Sequence, residues 1–212
     1  MNKIVITIDG PAASGKGEIA KYISRKWKYK HLDSGILYRR LAQKLIDNNI
    51  NINSVSEIKN FLQKQKTLSF RNSKSLRVEI ISKIASKIAV FQIVRDFINK
   101  FQRNFVISNK KNNHFVVDGR DIGSIVFKKA KLKLYIEVSE KNRAKRRYKQ
   151  LIDTGEKSIY PQILKEIKLR DKKDKNRFNS PLIVPNGAHI INNNESFKKT
   201  ASQINYLIEK IK

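Results

Sequence analysis

The chain has 212 residues, 40% of them hydrophobic and 30% charged, with no cysteine and a formal net charge of +28. That length suits a single domain with a core of its own, or one with a small appendage, and the missing cysteines exclude disulfide frameworks, thiolate zinc sites and cysteine nucleophiles together. No apolar run approaches the roughly 20 residues of a membrane span, so a cytoplasmic protein is expected.

"KIVITI" (3–8) is rich in β-branched residues and predicts a buried parallel strand. Gly10, Pro11 and Gly15 mark a tight loop, and Ile19, Ala20, Ile23 and Trp27 then fall at helical spacing from about 17 to 29. "YKHLDSG" predicts a brief strand, with Asp33 or Ser34 capping a helix over about 36–47. Residues 48–75 are polar; a weak helix over 56–64 and a strand at "TLSF" are expected there. One long helix is predicted over about 78–101. "HFVVDGRD" and "AKLKLYIEV" read as two further strands. "SEKNRAKRRYKQL" predicts a helix with Ser139 at its N-cap and Gly155 beyond its end. A helix over about 160–172, a last strand at "GAHIIN" and a closing helix over 196–211 complete the chain. Strands alternating with helices imply a parallel sheet covered on both faces.

Gly10 to Lys16 spells G-x-x-x-x-G-K, set between the first strand and the first helix. In that context successive backbone N–H groups wrap a phosphate and the helix presents its positive end. The pattern then asks for Ser or Thr, but Gly17 and Glu18 follow. "DGRD" (118–121) ends a strand. It reads either as a turn with a local ion pair or as part of a ligand site, since ligands bind beyond the carboxyl ends of parallel strands. Arg170, Asp174 and Arg177 share one helix face at i, i+4, i+7, the spacing of a solvated ion-pair ladder as well as of a binding face. Arg143, Arg146 and Arg147 lie on one helix, where arginine forks suit phosphate oxygens. His31, His114 and His189 are too scattered to suggest a metal site.

"IDGPAASGKG", "LDSGILYR", "VVDGRDIGSIVF" and "EIKLRDKKDKNRFNSPL" occur in the order of, and nearly at the spacing found in, the bacterial cytidylate kinases, which the chain resembles over nearly its whole length. The resemblance implies an α/β phosphate-loop (P-loop) NTPase fold. A parallel sheet flanked by helices would carry a small nucleotide-binding insert and a helical lid. Within a single domain over 1–212, the core would span about 1–47, 96–140 and 178–212, the insert 48–95 and the lid 141–177. Gly17 is normal for this group. Glu18 is not, because Thr is usual there; a carboxylate in its place repels the triphosphate, turns away or holds a metal-bound water. The insert also looks trimmed, with "FRNSKS" standing where relatives have a longer hairpin.

The implied reaction is phosphoryl transfer from Mg-ATP to CMP and dCMP. ATP would be held by Gly10, Pro11, Ala12, Ala13, Ser14, Gly15, Lys16, Gly17 and Glu18, with Mg²⁺ carried by ATP and no direct protein ligand assigned. Lys16, Arg120, Asp121, Arg143 and Arg147 would act in catalysis, the last two from the lid. The CMP site would draw on Asp33, Ser34, Tyr38, Arg39 and Arg77. It would also use Ser86 and Arg95 as donors to N3 and O2 of cytosine, Asp121 as acceptor from its amino group, and Arg170, Asp174 and Arg177 near sugar and phosphate. The same family suggests a monomer.

Two alternatives stand beside this reading. One is a kinase of the same fold acting on UMP or AMP. The other is a basic RNA-binding protein with a degraded kinase site. The high charge suits a polyanion partner, but the basic residues are scattered and aromatics do not interleave with them as a stacking platform requires. Lys, Ile and Asn also have AT-rich codons, a compositional source for the charge. Nucleic acid is therefore not expected to be the main partner.

Overall fold

A computed structural model describes residues 3–71, 73–153 and 155–211; the side chains of Lys74 and Arg77 also lie outside the described residues. Five strands form one sheet: β1 (Ile4–Asp9), β2 (Lys30–Asp33), β3 (His114–Gly119), β4 (Leu132–Glu137) and β5 (His189–Asn192), in the order β2-β3-β1-β4-β5. β1 runs parallel to both β3 and β4, with Ile6 opposite Val116 on one side and Leu132 on the other, and β4 runs parallel to β5. Ile6, Ile8, Val116 and Leu134 are all fully buried. Apolar residues on both faces are what strands sandwiched between helical layers require, and helical crossovers supply those layers.

The helices are α1 (Lys16–Trp27), α2 (Ser34–Asp47), α3 (Val55–Lys64), α4 (Glu79–Ile88), α5 (Gln92–Ile107), α6 (Glu140–Asp153), α7 (Tyr160–Asn176) and α8 (Phe197–Glu209). The chain divides into two compact units, Met1–His31 with His114–Lys212, and Leu32–Asn113. In the first, Ile19 and Ile23 of α1 and Ile204 and Ile208 of α8 pack on the sheet residues Ile6, Ile8, Leu134 and Ile136. α6 and α7 pair through Ala144, Leu151, Ile163 and Ile167. In the second unit α2 packs on α4 and α3 on α5, burying Leu37, Leu41, Ile58, Ile81 and Ile98.

Three local expectations are corrected. The helix over 78–101 is two helices, α4 and α5, broken at 89–91. Phe91 is extended as the N-cap of α5, and the turn hands the Ala89 carbonyl to the Arg95 guanidinium at 2.8 Å; the apolar rhythm continues across a break that it cannot reveal. Residues 67–70 are not a strand, and of the four only Leu68 is buried: a β-prone tetrapeptide without a neighbouring edge gains nothing from extending. α7 continues four residues past the expected end, to Asn176, which carries Asp174 on the helix and makes Arg177 its C-cap. Ser139 accepts from the Asn142 amide, as an N-cap should, whereas Asp33 makes no side-chain cap.

Candidate active site

β1 delivers the chain into the phosphate loop, and the loop is shaped by what happens to its carbonyls. Lys16 Nζ donates to the Pro11 carbonyl at 2.8 Å, Arg143 Nη1 to that of Ala12 at 3.2 Å and Asn193 Nδ2 to that of Ser14 at 2.8 Å. In a trans peptide the N–H points opposite to the C=O. Drawing these carbonyls towards side chains therefore turns the amides of Ala12, Ala13 and Gly15 the other way, which is the arrangement an anion cradle needs. Gly15 is indispensable for two reasons: its φ is +87°, and a Cβ there would come within 2.6 Å of Asn193 Nδ2. The Ser14 hydroxyl is buried and has no hydrogen-bond partner among the described residues. Glu18 is exposed in the first turn of α1, where a carboxylate also suits the positive helix end.

Lys16 is 7% exposed. Burial is the main reason its ammonium titrates well below the usual lysine range. Arg120 and Arg170 push it further down, while Asp118 and Asp174 oppose them. Three cations crowd one buried spot, and a polyphosphate arriving there would relieve the crowding. The residues thus fit a nucleoside triphosphate.

The segment after β3 is pinned from below. Asp9, fully buried at the end of β1, accepts from the amides of Ile122 at 2.8 Å and Gly123 at 2.7 Å. Burial raises the Asp9 carboxyl to about 6, with the two amide bonds opposing the rise. Gly123 is the second residue of a single π-helical turn, Ile122–Val126. A Cβ on it would lie 2.8 Å from Thr7 Oγ1 and 3.1 Å from Asp9 Oδ2, so the second glycine of "DGRDIG" is demanded by close packing. Asp118 is held through Oδ1 by His31 Nε2 at 2.6 Å.

Above this floor lies a charged cluster. Arg120 Nε donates to Asp174 Oδ2 at 3.0 Å. Arg177 lies 3.6 Å from Asp174 and 3.9 Å from Asp121. Burial alone would raise Asp174, but Arg120, Arg170 and Arg177 outweigh it and hold its carboxyl below the usual range. A carboxylate so heavily outnumbered leaves net positive charge for an anionic substrate.

From α6, Arg143 is 2% exposed and forks onto Asp171 at 3.0 and 2.5 Å, with Nε on the Val138 carbonyl. Arg143 thus ties α6 and α7 to the phosphate loop. Arg147 turns along its helix to Gln150. Arg146 instead bonds the Asn193 carbonyl at 2.6 Å and lies 3.6 Å from where a Gly15 side chain would stand.

The remaining expected site residues belong to the second unit. Arg39 donates to Asp33 at 3.3 Å. Arg95, 1% exposed, lies over the Tyr38 ring at 5.9 Å. Ser34 is buried at the start of α2 and Ser86 half-buried on α4. The side chain of Arg77 is outside the described residues.

Sequence reasoning missed Asp9, Asn193, Asp171 and His31. Asn193 links the phosphate loop to α8, accepting from Thr200 Oγ1 at 2.9 Å, yet it is one of three consecutive asparagines and nothing local distinguishes it. Asp9 did have a signal, a lone carboxylate ending an otherwise apolar strand.

A phosphate loop between β1 and α1, on a parallel sheet with a basic cluster at the strands' carboxyl ends, defines a phosphate-loop nucleotide-binding protein. The family profile described as cytidylate kinase matches residues 6–212. The cytidylate kinase of Fusobacterium nucleatum is 36% identical over 100% of both chains. That of Rickettsia felis is 40% identical over 90% of this chain and 84% of its own, and that of Bartonella bacilliformis 38% over 92% and 89%. The chain belongs to the cytidylate kinase family. Among solved structures, the Thermus thermophilus protein TT1252 matches 100% of both chains with a TM-score of 0.54 at 14% identity. An uncharacterized Eubacterium ventriosum protein covers 97% of this chain and 98% of its own, with a TM-score of 0.51, also at 14%. Both likenesses speak to the fold.

Proposed function

We propose that the protein transfers the γ-phosphoryl group of ATP to an α-phosphate oxygen of CMP, and of dCMP, giving CDP or dCDP and ADP. The observation that carries this reading is the buried Lys16 crowded by Arg120 and Arg170 at a phosphate loop whose carbonyls are turned away. Membership of the cytidylate kinase family selects CMP over UMP and AMP, and uracil would offer no amino donor to Asp121.

In the reaction the bond from the γ-phosphorus to the ADP oxygen breaks as one to the CMP phosphate oxygen forms. The nucleophile is already an anion near neutral pH, so no strong general base is needed. The protein's part is positioning and charge neutralisation. Lys16 with the loop amides holds the β- and γ-phosphates, and Arg120, Arg170 and Arg177 face the phosphates that approach. Asp121, Ser86 and Arg95 read cytosine; Asp33, Ser34, Tyr38, Arg39, Arg77 and Asp174 complete the acceptor site. Arg143 and Arg147 belong to a lid over ATP, whose closure excludes water. Mg²⁺ would be carried mainly on ATP phosphates and water. When bound, Mg²⁺ neutralises charge on the β- and γ-oxygens. The protein works as a cytoplasmic monomer.

The test is ADP release from Mg-ATP with CMP, dCMP, UMP and AMP in parallel, for wild type and Glu18→Thr. Turnover of wild type with CMP and dCMP, and little with UMP or AMP, is expected. The exposed Glu18 side chain predicts at most a severalfold gain from threonine. Equal turnover of UMP would remove Asp121 from base recognition, and no turnover by either protein would end the kinase reading.

A further inference from the structure

The sheet has a second charged concavity, at the end opposite the phosphate loop. β4 and β5 are parallel to β1, which enters the loop from its carboxyl end. The amino ends of β4 and β5 therefore lie about 20 Å away, one strand length along the sheet. There the segment before β4, the segment before β5 and the last turn of α8 enclose a groove of about 520 Å³, a size that accommodates organic ligands.

Lys128, Lys129, Lys131, Lys133 and Lys210 line the groove, joined by His189, and among the described residues no Asp or Glu side chain does. Leu132, Leu207 and Ile211 line it with apolar surface. Tyr206, 57% exposed, carries Lys210 at 4.2 Å from its ring centroid. Like charges gathered without counter-charge concentrate positive potential in a concavity. Five ammonium groups from two segments share this concavity, and an anion would offset their mutual repulsion.

We propose that this groove binds single-stranded nucleic acid without sequence preference, as an accessory surface of an otherwise working kinase. Lysines are mobile point charges, suited to a phosphodiester backbone that can slide, whereas a single tightly held phosphate is better served by arginine forks. The Tyr206 ring offers a stacking face to a base. A chain charge of +28 extends the field well beyond one groove, as a polyanion can exploit and a mononucleotide cannot. The linear sequence hides the arrangement because Tyr206 and the lysines come from segments about 75 residues apart.

The test uses the full chain and a fluorescein-labelled uridine oligomer of about 12 nucleotides, read by anisotropy across a salt series around 0.1 M. CMP and a non-hydrolysable ATP analogue are present in excess to fill the catalytic site. One variant is Lys128→Gln/Lys129→Gln/Lys131→Gln. Its control, Lys59→Gln/Lys100→Gln/Lys110→Gln, removes the same charge from exposed positions of the other unit. The groove variant should weaken binding about tenfold, lower the salt slope by about 2 and leave CMP turnover unchanged. The control should change affinity less than about twofold, and Tyr206→Ala should weaken binding without altering the slope. Equal losses from both triple variants would assign binding to net charge and overturn the groove. So would loss of binding on filling the catalytic site, or binding of anionic vesicles but not RNA.

Discussion

The unit that carries the phosphate loop and the unit spanning Leu32–Asn113 hold their polar groups in different ways. In the first, buried side chains grip main chain: Asp9 takes two amides, Arg143 two carbonyls, Asn193 a third. In the second, many of the bonds are local and near the surface, such as Gln43 to Asp47, Ser54 to Glu57 and Gln92 to Asp96. Arg95 is its one buried charged residue among those described. Buried bonds to main chain fix where a backbone lies, and removing one partner strands the other away from water. Local surface bonds exchange readily for water. The first unit should therefore be brittle to single substitutions and the second tolerant.

The largest effect belongs to Lys16→Ala. Removing the buried ammonium should lower kcat/KM for CMP phosphorylation by about a thousandfold or more, with a modest loss of stability, since relief of the crowding by Arg120 and Arg170 offsets part of what the stranded Pro11 carbonyl costs. Steady-state ADP release and urea unfolding check the two halves; near-normal activity would take the loop out of the mechanism.

Asp9 comes next, and its effect depends on pH. Its carboxyl lies at about 6 when folded, against 3.8 for an ordinary aspartate. Folding therefore favours the protonated form. That contribution is whole below about pH 4 and is lost as pH rises through 6, a difference of about 3 kcal/mol. Asp9→Asn does not titrate, so wild type should lose about that much relative to the variant between pH 4 and 7. Urea unfolding of both proteins across this range measures it. A gap that stays constant with pH would show that burial does not govern Asp9.

Gly123→Ala should cost about 2 kcal/mol, because its new methyl group meets Thr7 and the Asp9 carboxylate. Activity should fall with it, since the displaced turn follows Asp121 directly. A variant as stable and active as wild type would mean that the turn is soft.

The centre of the sheet was legible in the sequence because β1, β3 and β4 are short apolar runs whose burial on both faces leaves one reading. The phosphate loop was legible for a similar reason: glycine spacing reports backbone demands directly. What stayed hidden are interactions between distant residues. Asn193 on the Ser14 carbonyl and Asp171 under Arg143 join positions 179 and 28 residues apart, and no local pattern announces them. The break between α4 and α5 escaped because apolar periodicity counts buried positions and is indifferent to a turn that keeps the phase. The "TLSF" strand failed because β-propensity describes fitness for a sheet without supplying the neighbour.

The smallest effect tests the tolerant side. Ser54 caps α3 by accepting from the Glu57 amide at 3.3 Å, and Glu57 reaches back to the Asn51 amide at 3.0 Å. Both bonds are exposed, so the groups that Ser54→Ala releases can turn to water. The loss should be about 1 kcal/mol, the ordinary worth of an N-cap, and CMP turnover should not change. Thermal unfolding with parallel kinetics decides it. A loss as large as that of Gly123→Ala would mean that the helical unit is as tightly determined as the phosphate-loop unit, and the contrast in how the two hold their polar groups would not govern their response to substitution.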